Sequence, residues 1–70
     1  MKHQSVISSN IRSIAYEQGT LEIAFKDGSF YRWQDIPAEY HTRLMAAESK
    51  GKFLHHVIQA EFGVGKRQEK

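Results

Sequence analysis

The chain has 70 residues, so it holds one domain at most and a small core. It contains no cysteine, which excludes a disulfide framework and a thiolate metal site and leaves packing, or a partner, to hold the fold together. Hydrophobic content of 40% and charged content of 26% suit an ordinary globular protein, no apolar run is long enough to cross a membrane, and a net charge of +2 permits nucleic acid as a partner without requiring it.

Residues 1–10 are polar and serine-rich, with Val6 and Ile7 the only apolar pair. They lack the uninterrupted apolar run of a signal peptide, so a cytoplasmic protein of bacterial or phage type is expected, with residues 1–9 a loosely ordered arm that docks, if anywhere, through Ile7. From Ile11 to Tyr16 β-branched and aromatic residues accumulate, and Glu17-Gln18-Gly19-Thr20 then supplies a turn. A loop of those four residues sets Tyr16 opposite Leu21 and Ile14 opposite Ile23.

The stretch from Leu21 to Trp33, LEIAFKDGSFYRW, is the strongest signal in the chain. Asp27-Gly28 between two alternating segments marks a β-hairpin. If Lys26, Asp27 and Gly28 form the loop, with Gly28 left-handed, Phe25 flanks Ser29, Ile23 faces Tyr31 and Leu21 faces Trp33, so the large side chains share one face. A loop of Asp27 and Gly28 alone would set Ile23 against Arg32 and Leu21 against Gln34, mixing core and polar residues. Because a slip of one residue turns every side chain over, the hydrophobic pattern selects the longer loop.

Asp35-Ile36-Pro37 ends the sheet, since proline suits the first turn of a helix and cannot donate to a ladder. Ile36 staples the entry, and Tyr40, Leu44 and Ala47 form one helical stripe. Ser49 is a good N-cap for a second helix, with Phe53, Val57 and Ile58 as its apolar side and Gly51 weakening its start. The expected fold class is α+β: a three-stranded antiparallel β-meander followed by two short helices packed on one face, in the order β-β-β-α-α. The domain spans residues 10–62, and residues 63–70 have the composition of a basic flexible tail.

In this register Ser13, Ala15, Glu22, Ala24, Lys26, Phe30, Arg32 and Gln34 point away from the helices. Small residues bordered by Phe30, Lys26 and Arg32 make a flat surface on which a base could stack and phosphates could pair, one physical recipe for single-stranded nucleic acid. The plainer alternatives are that Phe30 packs beside Ile11, Phe62 or Val64, and that Arg32 makes a cross-strand pair with Glu22. Arg43, Lys50, Lys52, Lys66 and Arg67 give a second basic surface near the helix junction, where Ser49-Lys50-Gly51-Lys52 could offer backbone N–H groups to a phosphate or simply carry solvated lysines around a cap.

His3, His41, His55 and His56 show no metal-ligand spacing, and neighbouring helical histidines point about 100° apart, so no metal or other cofactor is expected. Serine, histidine and carboxylate are all present, but no nucleophile turn, carboxylate pair or glycine-rich nucleotide loop accompanies them. The expectation is therefore a non-catalytic domain with no small-molecule substrate.

Ile11, Ile14 and Tyr16, then Leu21, Ile23, Phe25 and Gly28, then Tyr31-Arg32-Trp33, Ile36-Pro37 and Ala47-Glu48-Ser49-Lys50-Gly51-Lys52-Phe53 resemble the KTSC domain over most of the chain, from about Ser8 to about Phe62. The family is named for its occurrence at the C-terminus of some lysyl-tRNA synthetases and also occurs as a stand-alone bacterial or phage protein. Its Tyr-x-Tyr signature appears here with Trp33 in the second place, which removes a hydroxyl while keeping an aromatic core residue. The resemblance brings no catalytic activity, and the association with a tRNA-handling enzyme implies RNA as a partner. The sequence is read as an RNA-binding module, for tRNA or single-stranded RNA, that uses Lys26, Phe30, Arg32, Arg43, Lys50 and Lys52. The alternative is a protein-interaction or accessory module, including a homodimer formed through the open face or a sheet edge.

Overall fold

The computed structural model describes residues 1–68. At its centre stand three antiparallel strands, β2 (Ile11–Glu17), β3 (Thr20–Phe25) and β4 (Phe30–Trp33). Gln18 and Gly19 both take positive φ, 48° and 83°, a twist that suits the shortest hairpin loop, so Glu17 already pairs with Thr20. The turn is tighter than a loop of four residues, yet the register is the expected one, Tyr16 against Leu21 and Ile14 against Ile23.

The second hairpin takes the longer loop. The Phe25 N–H donates to the Ser29 carbonyl at 2.9 Å, the Gly28 N–H to the Phe25 carbonyl at 3.0 Å, and Gly28 sits at φ 95°. Leu21 then pairs with Trp33, Glu22 with Arg32, Ile23 with Tyr31 and Ala24 with Phe30.

The expected three strands are corrected to five, in the order β1-β2-β3-β4-β5. Strand β1 (Gln4–Ser5) adds to β2, and β5 (Lys66–Gln68) adds to β4, so segments taken from their composition as arm and tail form the sheet's edges. Strand pairing is made by backbone N–H and C=O groups, which polar residues carry as well as apolar ones, so a short polar edge strand leaves no alternating pattern to read. In the arm, Val6 rather than Ile7 packs against the core, and Ile7 is 97% exposed. Alternation along an extended segment puts neighbouring side chains on opposite faces, so the two cannot both dock. Residues 69 and 70, the end of the expected tail, lie outside the described residues.

Helix α1 (Ala38–Ala46) begins after Pro37, whose φ of −60° is already helical, and Ile36 and Leu44 are fully buried beneath it. The second helix, α2, covers residues 50–62 as three consecutive segments, Lys50–Phe53, Leu54–Ile58 and Gln59–Phe62. The middle one is a π-helical turn, in which the Gln59 N–H reaches the Leu54 carbonyl. Ser49 caps α2 by accepting from the Lys52 N–H at 3.3 Å. The buried residues of α2 are Leu54 and Ile58, one turn apart, while Phe53 and Val57 are only partly buried, so the stripe that meets the sheet runs through Leu54 and Ile58 rather than Phe53 and Val57. With Ile11, Ile14, Leu21, Ile23, Trp33, Ile36 and Leu44 they make one core on the helix-covered side.

Two glycines are fixed by close approach. A Cβ on Gly65 would lie 2.6 Å from the indole of buried Trp33, and one on Gly51 would lie 2.7 Å from the Asn10 Oδ1. The first neighbour is a locked ring and the second is the tip of a mobile side chain. Gly65→Ala is therefore expected to destabilise the domain by roughly 1–3 kcal/mol and Gly51→Ala by clearly less, as read from urea unfolding midpoints.

Candidate nucleic-acid interface

The outer sheet face is furnished rather than bare. Ala15, Ala24 and Ser13 are buried, and His3 from the arm stands over the middle of the face. Its Nδ1 lies 2.8 Å from the Ser13 Oγ, its Nε2 lies 2.5 Å from the Glu22 Oε1, and its ring meets Phe30 edge-on at 6.0 Å. Arg32 donates from Nε and Nη2 to the Glu22 Oε2 at 3.2 and 2.7 Å, realising the cross-strand pair. Glu22 thus joins arm and sheet. Partial burial works against ionisation of its carboxyl, but the hydrogen bonds and charges of His3 and Arg32 outweigh it and hold the group below its ordinary value of 4.5.

Of the residues expected to touch nucleic acid, Phe30 is half-buried beside His3 and opposite Gln68, and Arg32 is engaged by Glu22. Arg43 lies on the far side of the core, its guanidinium 5.4 Å from the Tyr40 ring centre and 5.3 Å from that of Phe53. Lys50 turns its ammonium back to the Ala47 carbonyl at 3.0 Å. Lys26 and Lys52 are exposed, and no ion pair holds either of them among the described residues. The Lys52 N–H expected for a phosphate is taken by Ser49.

Folding brings Lys26 and the start of α2 together across Asn10. The Lys26 N–H donates to the Asn10 carbonyl at 2.9 Å, and the Asn10 side chain rests on Gly51, between Lys50 and Lys52. The backbone at the hairpin tip and the helix junction, far apart in the sequence, are thus neighbours through Asn10.

On the helix side of the same hairpin lies a feature that sequence reasoning passed over. A cavity of about 300 Å³ opens between Phe25, Tyr31 and Trp33 on the sheet and Gln59 and Val64 beyond it, with Asp27 and Ser29 at its rim. Phe25 and Tyr31 stand perpendicular, 85° apart with centres 5.6 Å apart, and Trp33 closes the floor by donating from Nε1 to the Gly63 carbonyl at 2.9 Å. Tyr31 and Trp33 were expected to be structural only. Trp33 is, but Tyr31 is half-buried and walls the cavity. The hairpin register could have signalled this, since it sets Phe25, Tyr31 and Trp33 side by side on one face; the far wall is set by the docking of α2 and the chain after it.

A five-stranded meander with two helices over one face defines a small α+β domain. The KTSC domain family model matches residues 7–62, and the chain belongs to that family. It is 32% identical to a KTSC domain protein of Yersinia pestis whose crystal structure superposes with a TM-score of 0.82, covering 99% of this chain and 96% of that one. It is also 35% identical over 63 residues to an uncharacterized protein of Stutzerimonas stutzeri, covering 87% of this chain and 89% of the relative. A protein of Tsukamurella paurometabola is 33% identical over 61 residues, with 84% and 91% covered. Among the described residues no helix is long and apolar enough to cross a membrane.

His41 and Glu22 are among the groups that couple this architecture to pH. His41 stacks on Tyr16, with ring centres 4.8 Å apart, and burial pulls its imidazole below its ordinary 6.5. For both His41 and Glu22 the folded state holds protons less tightly than the unfolded chain does, so each contribution to stability is complete above the ordinary value and is lost as pH falls through the folded value. The urea midpoint should decline in two stages on acidification, the first below pH 6.5 and the second below pH 4.5. His41→Phe should remove the upper stage and Glu22→Gln should flatten the lower one.

Proposed function

We propose that this KTSC domain is a non-catalytic module that binds single-stranded RNA at the hairpin end of its sheet, with Lys26, Lys50 and Lys52 contacting phosphates. The observation that carries this reading is the convergence on Asn10, which joins the hairpin lysine to the lysines at the start of α2. Clustered cations bind a phosphate backbone by releasing its counterions, whatever the base sequence. Lys66, paired in register with Arg32, adds a further exposed cation on the new edge strand. The family's occurrence beside lysyl-tRNA synthetases agrees with such a partner, and RNA of this kind is met in the cytoplasm, the location we propose with it. Phe30 and Arg32 are left in a supporting role, because His3 and Glu22 already engage them.

The non-catalytic part of the reading also has support. Ser13, His3 and Glu22 form a hydrogen-bonded row of residue types found in hydrolase triads. Ser13, however, is only 8% exposed and sits within β2, a strand paired on both sides. It pairs with Ser5 on one side and Ala24 on the other, a setting in a sheet interior that counts against an accessible nucleophile.

Titration of the domain with a single-stranded RNA hexamer at low salt is expected to shift the amides of Asn10, Lys26 and Lys52. Lys26→Ala and Lys52→Ala should each weaken binding and lower the slope of log K against log salt by roughly 0.7, the value for one phosphate neutralised on a single strand. A titration without shifts would overturn the reading in favour of a protein partner, a second copy of the chain included.

A further inference from the structure

The cavity between the hairpin and the end of α2 lies outside the proposed lysine surface, and its chemistry is specific. Its walls are aromatic, with Phe25 and Tyr31 meeting at a right angle over the buried Trp33. Such a corner takes a flat ring against one face and an edge against the other. Its rim is acidic. The Asp27 Oδ1 accepts from the Ser29 N–H at 2.9 Å and the Ser29 Oγ at 2.6 Å, which fixes the carboxylate through one of its two oxygens. Those hydrogen bonds from Ser29 also hold the carboxyl below its ordinary range, so it is an acceptor at neutral pH. Gln59 gives its side-chain carbonyl to His55 at 3.1 Å and keeps its amide N–H groups as donors. The Tyr31 hydroxyl has no hydrogen-bond partner among the described residues.

We propose that this cavity is a base-reading pocket for a guanine of single-stranded RNA, stacked on Tyr31 and held by the Asp27 carboxylate. The proposal rests on the RNA-binding reading and names the nucleotide that reading leaves open. The remaining carboxylate oxygen, Oδ2, has two acceptor sites, and guanine offers two donors to one oxygen at N1–H and the N2 amino group. Adenine and cytosine set an acceptor beside their amino group, and uracil sets carbonyl oxygens on both sides of its only N–H. Gln59 complements the choice by donating to a carbonyl such as guanine O6. The cost of an acidic rim near phosphates is met locally: Arg67 stands opposite Tyr31 in the ladder and its charge acts on the Asp27 carboxyl, while Lys26 precedes Asp27 in the loop. Phosphates following the base can therefore run toward Lys26 and the Asn10 cluster, which joins the pocket to the proposed backbone-binding lysines.

The test compares four RNA hexamers, UUUUUU and its variants with one central G, A or C, by fluorescence anisotropy at low salt, with amide shifts recorded in parallel. The G hexamer is expected to bind about tenfold more tightly than the others, the discrimination of one good pair of hydrogen bonds, and to move the amides of Phe25, Asp27 and Tyr31. Asp27→Asn should erase the preference, so that within that variant the G hexamer binds no more tightly than UUUUUU, and Tyr31→Leu should weaken the G hexamer most. Since Asn keeps an Oδ1 that accepts from the Ser29 N–H and Oγ, the Asp27→Asn variant is expected to keep the loop and the amide spectrum of the fold. Equal affinity for all four hexamers, or a G preference that survives Asp27→Asn, would overturn the pocket and leave the lysine surface standing. No affinity for any hexamer would instead overturn the RNA reading beneath it.

Discussion

The register of the β3–β4 hairpin is the constraint on which the rest of the molecule depends. Pairing Leu21 with Trp33 and Ile23 with Tyr31 puts the large apolar side chains under the helices and sends Glu22 and Arg32 outward together. A loop one residue shorter would move each residue of β4 to the other face, setting Arg32 against the core and Trp33 against water. In a domain this small a single such error would remove much of the apolar burial that offsets chain entropy. The Asp27 carboxylate, which accepts from both the amide and the hydroxyl of Ser29, and the left-handed Gly28 fix the loop that sets this register.

Both outer strands are anchored by side chains that reach into what the hairpin prepares. On one side, His3 bridges Ser13 and Glu22 while Val6 packs against the core, so the arm is tied to both faces of the sheet. On the other, the chain leaving α2 is drawn over Trp33 by the indole's hydrogen bond to Gly63 and by Gly65, whose lack of a side chain lets the backbone rest on the ring. That packing delivers residues 66–68 to the free edge of β4. Trp33, in the second aromatic place of the family signature, thereby serves as core residue and as guide for the C-terminal strand.

The same hairpin organises the proposed function. Its tip carries Lys26 to the Asn10 junction with α2 and Asp27 to the rim of the aromatic cavity, so cations and base-reading groups lie on one short loop. The outer face has its polar groups satisfied internally by the Ser13–His3–Glu22–Arg32 network, which leaves it less to offer a ligand than the hairpin end does.

The family, the α+β class, the three central strands with their register, both helix starts and the Glu22–Arg32 pair were all legible in the residues, because each rests on local rules: alternation, a loop of known chemistry, a proline, a cap. The edge strands were not, since pairing of polar segments is decided by which backbone groups end up adjacent, something no local pattern records. The change of buried stripe on α2 and the placing of His3 over Ser13 and Glu22 belong to the same class. The site divided along the same line. Sequence named Lys26, Lys50 and Lys52 as cations in two places, and only tertiary packing around Asn10 brought the two backbone segments that carry them together. It also assigned Tyr31 to the core, which holds for the face the residue occupies but not for its depth, because the cavity exists only where the end of α2 stops short of the hairpin. Local chemistry fixes which face a side chain takes, and the docking of distant elements fixes whether that face is filled.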